Sequence, residues 1–325
     1  MSEHRSAAEA RSDREKSEHR DRDKREHRRV VVTGSHGLIG SELVATLRRT
    51  GDEVTRLVRS ATAPGDAAWD IAASTIDAAA LEGHDAVVHL AGAGIGDHRW
   101  SDAYKREIHD SRTRGTTLLC ETLAKLERPP RVLVSGSAVG WYGDRGDEEL
   151  SEASAPGHGF LASVVKDWEA ATEAASDAGI RVVRLRSGVV LSRKGGALKK
   201  QLLPFKVGAG GKLGSGRQWL SWIALDDEIG AILHLIRRET LRGPVNATAP
   251  NPVTNAEFTD ALGAVLHRPT VMTVPPFAIK ALFGSQMATE MLLAGQRVLP
   301  RALEASGFGF RYPRVDEALH AMLAP

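Results

Sequence analysis

Val30-Val-Val-Thr-Gly-Ser-His-Gly-Leu-Ile-Gly40 runs three β-branched residues straight into a Gly34-x-x-Gly37-x-x-Gly40 turn. The residues that follow, Ser41 to Arg49, place Leu43, Val44 and Leu47 at helical spacing, so the segment reads strand, glycine turn, helix. Glycines at such a turn let the backbone approach a pyrophosphate, and the free N–H groups of Ser35, His36, Leu38 and Ile39 at the helix start suit an anion. An ordinary tight turn would look the same by itself. The second short apolar strand, Asp52-Glu-Val-Thr-Arg-Leu-Val-Arg59, comes about twenty residues later, as a dinucleotide-binding βαβ unit requires.

At 325 residues the chain is long enough for one large or two modest domains. Cys120 is the single cysteine, so no intramolecular disulfide is possible, and no apolar run reaches the roughly 18 residues that span a bilayer. These features set the expectation of a cytoplasmic protein with no membrane partner. Residues 1–29 carry ten Lys or Arg and eight Asp or Glu, leaving 33 of each sign in the remainder. A balanced body argues against nucleic acid as a partner. The same 29 residues contain no Leu, Ile, Val, Phe, Tyr or Trp and cannot bury enough apolar surface to offset the entropy of ordering. They are expected to form a disordered charged leader; the apolar core of a secretory signal is missing from them, and their acids are foreign to a mitochondrial transit peptide.

From Arg29 onward strands and helices alternate. Strands are expected at Val30–Thr33, Glu53–Val58, Ala86–Ala91, Arg131–Ser135 and Ile180–Arg186, with helices at Tyr104–Leu126 and Leu161–Ala178 between them. The fold class is therefore α/β, a Rossmann-like doubly wound parallel sheet. Residues 195–221, rich in glycine and lysine, read as a mobile loop covering a cleft with few core residues, and 226–239 as a returning helix. The expected organisation is a nucleotide-binding domain over 30–250 and a smaller, mainly helical lobe over 251–325 on the substrate side.

In this fold an acidic residue at the end of the second strand holds the adenosine ribose and selects NAD. Here the position falls on Val58, with Arg59 and Ser60 next, and a guanidinium suits a 2′-phosphate, so NADP is the expected cofactor. Asp70, after Ala68-Trp69, falls near the adenine or caps a turn. Leu90, Ala91 and Gly92, after His89, are small enough in part for the cofactor to lie against their backbone.

The glycine turn, His89-Leu-Ala-Gly92, Ser135-Gly-Ser-Ala-Val-Gly-Trp-Tyr-Gly143 and Trp222-Ile-Ala-Leu-Asp-Asp227 together resemble the extended short-chain dehydrogenase/reductase superfamily. Asp110-Ser-Arg112, Gly159-Phe-Leu161, Asp167-Trp-Glu169, Gly214-Ser-Gly-Arg-Gln-Trp219, Asn246-Ala-Thr-Ala-Pro250 and Gly307-Phe-Gly-Phe-Arg-Tyr-Pro313 narrow the resemblance to its atypical epimerase-family members with a C-terminal domain of unassigned function, over about residues 29–322. The resemblance implies substrate bound between the sheet's carboxyl edge and the C-terminal lobe. It also implies a proton-carrying tyrosine, a lysine that tunes it, a serine that orients the substrate, and hydride exchange with the nicotinamide. Ser137 takes the serine position, but Leu161 stands at the tyrosine site and Val165 at the lysine site. Arg112 replaces an asparagine upstream of Gly115-Thr116.

Tyr142, five residues past Ser137, is a candidate substitute for the tyrosine, and a core aromatic is the competing reading. Arg112 suits an anionic substrate, a cofactor phosphate or a structural ion pair. Lys166 is rotated by about 100° from the lysine site and should face solvent. The sequence contains no metal-ligand pattern. The expectation is an NADP(H)-binding epimerase or oxidoreductase-like protein, monomeric or homodimeric, acting on a small, anionic sugar-like or carbonyl substrate through Ser137, Tyr142 and Arg112. The alternative is an NADP(H)-binding sensor or scaffold without turnover.

Overall fold

The structure is a computed structural model and describes residues 27–324. All but the last three residues of the expected leader lie outside that range. Eight strands build the main sheet: β1 (Arg29–Thr33), β2 (Glu53–Val58), β3 (Asp66–Asp70), β4 (Thr75–Ile76), β5 (Ala86–His89), β6 (Val132–Ala138), β7 (Arg181–Ser187) and β8 (Gly243–Ala247). Their order across the sheet is β8-β7-β6-β5-β1-β2-β3-β4, parallel except for the β3-β4 pair. Strand order reverses between β1 and β5. Ligands in such sheets bind in the crevice outside the carboxyl ends at that reversal, and here those ends are Thr33 and His89, paired in register.

The main helices are α1 (Leu38–Arg49), α2 (Asp102–Leu123), α3 (Phe160–Ala170), α4 (Gly196–Lys206), α5 (Leu225–Arg237), α6 (Asn255–Leu266) and α7 (Val315–Leu323). Because side chains alternate along a strand, β1 sends Val30 and Val32 to one face and Val31 to the other. The first two pack with Leu43 and Leu47 of α1 and Ile229, Ile232 and Leu235 of α5. Val31 joins Leu119, Cys120 and Leu123 of α2.

Several elements depart from the sequence expectation. The helix expected over Leu161–Ala178 is two, α3 and a short Glu173–Asp177 turn. At the break Thr172 Oγ1 donates to the Glu169 carbonyl at 2.6 Å and accepts from Arg184 Nε at 3.0 Å, diverting the backbone from a continuous ladder. Residues 195–221, expected as a covering loop, instead fold into α4 and two short strands, Gly211–Leu213 and Trp219–Leu220. Leu198 and Phe205 of α4 are buried with Trp222, Phe258, Leu262 and Leu319 in a third core. Their partners lie far along the chain, so local composition alone reads as loop.

Candidate functional site

The glycine turn closes the crevice at the β1 end. Gly34 has φ of 65°, and a Cβ there would stand 2.7 Å from the carbonyl carbon and oxygen of Leu90. The Gly37 N–H donates to the Gly34 carbonyl at 2.9 Å. A Cβ on Gly40 would sit 2.2 Å from that same oxygen. Gly34 and Gly40 thus let turn, helix and β5 end pack backbone to backbone. Gly37 differs: its φ is −74°, it is exposed, and it opens α1 with no side-chain cap. The first N–H groups of α1, on Leu38, Ile39 and Gly40, therefore have no intrahelical partners. Ser35 Oγ is buried with no hydrogen-bond partner, and His36 is exposed beside it. An uncapped helix start, an orphaned hydroxyl and a backbone cradle fit the pyrophosphate of a dinucleotide.

The other cofactor candidates surround this cradle. Thr33 Oγ1 accepts from the N–H groups of Leu90 and Ala91 at 3.0 and 3.1 Å, and so fixes the β5 end. Gly92 follows, exposed, with Arg112 packed behind it. Arg59 and Ser60 are exposed just past the end of β2, next to β1. Asp70 ends β3, and its Oδ1 accepts from Ala72 and Ala73 N–H at 2.8 and 3.1 Å, capping the turn there.

His89 lies beneath this surface, fully buried between Thr33 Oγ1 at 2.8 Å and Thr116 Oγ1 at 3.0 Å. Burial pushes its imidazole down to about 4, so it is neutral at physiological pH. Arg112 Nη1 donates to the carbonyls of Ala93 and Ile108 at 3.0 and 3.1 Å, and its guanidinium lies 5.1 Å from the Trp168 ring. Burial lowers it to about 10, which leaves it charged at neutral pH. Arg112 thus braces the backbone beneath Gly92.

Ser137 and Tyr142 belong to one buried polar network. Ser137 Oγ donates to Glu169 Oε1 at 2.6 Å. Arg186 holds the same carboxylate bidentately, Nε to Oε1 at 2.7 Å and Nη2 to Oε2 at 2.9 Å. Its Nη1 donates to the Tyr142 hydroxyl at 3.1 Å, and that hydroxyl donates to Asn246 Oδ1 at 2.7 Å. Burial raises the Tyr142 phenol above its ordinary range. The network ties β6, α3, β7 and β8 together, and it engages both hydroxyls with protein partners.

Leu161, at the superfamily's tyrosine position, carries on its N–H the carboxylate of Glu290, with Oε2 at 3.0 Å. Glu290 lies on the single π turn Ala288–Leu293 of the C-terminal lobe, and its Oε1 accepts from Gln286. Val165 is buried and Lys166 exposed. His98 is also exposed, set edge-on to the Tyr104 ring. Sequence reasoning missed the roles of Glu290, Asn246 and Arg186. Arg186 left a trace as a charge at the end of an apolar-rich strand and Asn246 as part of Asn246-Ala-Thr-Ala-Pro250, but Glu290 left none.

The segment leading into α4, and the first turns of α4 itself, touch the flanks of the cradle. Gly195 approaches Leu38, Lys194 pairs with Glu42 of α1, and Lys200 Nζ reaches the Gly96 carbonyl at 2.9 Å and Asp97 at 3.5 Å. A hollow of about 350 Å³ opens between the loop after Tyr142 and the C-terminal lobe, lined by Asp144, Asp147, Arg217, Gln218, Trp219 and Leu293 among others. At the sheet's carboxyl edge, Glu228 in the first turn of α5 is fully buried; its Oε1 accepts from Ser187 Oγ at 2.6 Å, and its Oε2 has no partner. Burial drives this carboxyl up to about 7.

The sequence pattern of the NAD dependent epimerase/dehydratase family matches residues 30–247, and that of a domain of unknown function matches residues 274–322. An epimerase family protein of Mycobacterium tuberculosis, MT2273, is 46% identical over 291 residues, covering 89% of this chain and 96% of its own. The human epimerase family protein SDR39U1 is 38% identical over 299 residues, covering 91% of this chain and all of its own. The crystal structure of human SDR39U1 (isoform 2) with NADPH superposes with a TM-score of 0.84, covering 91% of this chain and 99% of that one. Glycine cradle, strand order and these relatives agree: the chain belongs to the NAD dependent epimerase/dehydratase family, among its extended short-chain dehydrogenase/reductase members that carry the C-terminal domain of unknown function.

Proposed function

We propose that this protein binds NADPH across the Gly34–Gly40 cradle and acts as an oxidoreductase or epimerase-like enzyme on a small sugar-like or carbonyl substrate in a reducing, cytoplasmic setting. The observation that carries the cofactor reading is the uncapped cradle beside a β2 end that offers Arg59 instead of a carboxylate. The human relative crystallised with NADPH supports it. Leu38, Ile39 and Gly40 N–H groups with Ser35 Oγ would hold the pyrophosphate, Arg59 and Ser60 the 2′-phosphate, and Leu90 to Gly92 the path toward the nicotinamide. Bound there, the nicotinamide supplies or accepts hydride.

The chain's own residues must then handle the proton. Glu290, whose carboxylate accepts from the Leu161 N–H, takes that role in this reading. Ser137, Tyr142 and Arg112 act behind it, holding the β6 end and the Gly92 backbone in place. The hollow supports a sugar-like substrate, since Asp144 and Asp147 suit sugar hydroxyls and Arg217 suits an anionic group. A non-catalytic NADPH sensor is the second reading, favoured by the apolar Leu161 and Val165.

Calorimetry should show NADPH binding more tightly than NADH. Arg59→Ala should weaken NADPH by about tenfold, near 1.4 kcal/mol, and leave NADH unchanged; equal affinities in the native protein would remove Arg59 from the site. A carbonyl panel followed by NADPH oxidation separates the two readings. Enzyme activity that Glu290→Gln abolishes without loss of NADPH affinity supports the first, and NADPH binding with no turnover on any substrate supports the second.

A further inference from the structure

The large hydrophobic side chains left exposed among the described residues are Leu203, Val207, Val271, Met272, Phe277 and Leu282, from 51% to 89% accessible. Far apart in sequence, they come from only two segments. The fold brings those segments together. Gly211–Leu213, just past Val207, pairs in parallel with Met272–Val274. Arg268 Nε donates to the Lys206 carbonyl at 2.8 Å. Gly214 packs against Pro276, the residue before Phe277. Leu203 and Val207 stand one helical turn apart at the end of α4, and these contacts set that end beside Val271, Met272 and Phe277.

The charge of the edge so formed is predominantly positive, with one acid, Asp260, at its border, where it accepts from Thr270 Oγ1 at 3.0 Å. No Asp or Glu occurs between Asp177 and Asp226, or between Asp260 and Glu290, the two stretches that supply it. Lys206, Lys212, Arg268 and Lys280 are exposed within them. None of these four takes part in an ion pair among the described residues. In a body with equal numbers of acids and bases, this is a local excess of positive charge around a protruding apolar ridge.

We propose that this edge docks on an anionic phospholipid surface, with Val271, Met272 and Phe277 entering the headgroup layer and the four cations facing lipid phosphates. Apolar area in the interface plus electrostatic attraction to anionic lipid is the combination that holds peripheral proteins on a bilayer. A second copy of the chain is the poorer occupant, because it would bring like charges together. The expectation of no membrane partner rested on the lack of a spanning segment, and no described helix is long and apolar enough to cross a membrane. Docking at the surface requires none.

The test is co-sedimentation of the full chain with vesicles of phosphatidylcholine alone or with a quarter phosphatidylglycerol, and gel filtration without lipid. Binding is expected only to the anionic vesicles and should weaken as salt is raised. Lys206→Glu with Lys280→Glu should reduce it by about fivefold per site. Val271→Ser with Phe277→Ser should reduce it by roughly tenfold or more. All four positions are exposed, so an unchanged melting temperature verifies folding in both variants. The proposal is overturned if the native protein ignores anionic vesicles, if both variants bind as well as the native protein, or if the serine variant dissolves a dimer while lipid binding is never seen.

Discussion

Three glycines share the turn that opens the nucleotide site, yet only two are demanded by packing. Gly40→Ala would drive a methyl group against the Gly34 carbonyl, and a loss of about 1–3 kcal/mol is expected in thermal or denaturant unfolding. At Gly37 a side chain meets only that oxygen, at 3.3 Å, from an ordinary backbone conformation. Gly37→Val should therefore cost less stability than Gly40→Ala and yet lose NADPH affinity by roughly tenfold or more, since its methyl groups would stand where the phosphates approach. Glu228 raises a different issue. A carboxyl whose folded value lies near 7, against an ordinary 4.5, binds its proton more tightly in the folded state than in the unfolded one. Stability from this group is present below pH 4.5, falls as pH rises through 7 and is then flat, a swing of about 3 kcal/mol. Glu228→Gln should flatten that slope in unfolding measured across pH and leave the protein more stable above neutrality.

At the scale of elements, what could be read early was whatever repeats locally. The β-branched runs of β1, β2 and β5 announced themselves, and so did the helix after the glycine turn. β8 did not, because Gly243-Pro-Val-Asn-Ala247 offers one large apolar residue and is a strand only through its register with β7. The α4 segment was opaque for the same reason, its buried Leu198 and Phe205 answering to side chains of α6 and α7. The glycine turn was legible since it is one contiguous stretch. The Ser137, Glu169, Arg186, Tyr142 and Asn246 network was not, being assembled from five separate elements, and nothing near Glu290 in sequence signals its place beside Leu161. The approach to α4 is expected to slow cofactor release if the cofactor lies on the glycine turn as proposed. It is latched to both rims of the cradle through Lys194 and Lys200. Exposed ion pairs of this kind are worth up to about 1 kcal/mol each. Replacing both lysines by alanine should speed NADPH dissociation by roughly fivefold in stopped-flow fluorescence, and raised salt should act in the same direction on the native protein.

At the scale of the whole molecule, the sheet does two jobs with its two faces and a third with its edge. The faces make separate cores, one with α1 and α5 and one with α2. The carboxyl edge carries the cradle, the buried network and the first turn of α5. The third core gathers α4, α6 and α7, so the segment that flanks the cradle and the C-terminal helices stand on shared packing. Cys120 sits in the α2 core with no accessible surface, and burial lifts its thiol to about 12. Sulfur alkylation needs the thiolate and a path to it, and the folded chain grants neither. The native protein is thus chemically silent toward maleimides: any cysteine placed on its surface becomes the sole labelling position, and reaction at Cys120 itself becomes a clock for the sheet and α2 coming apart.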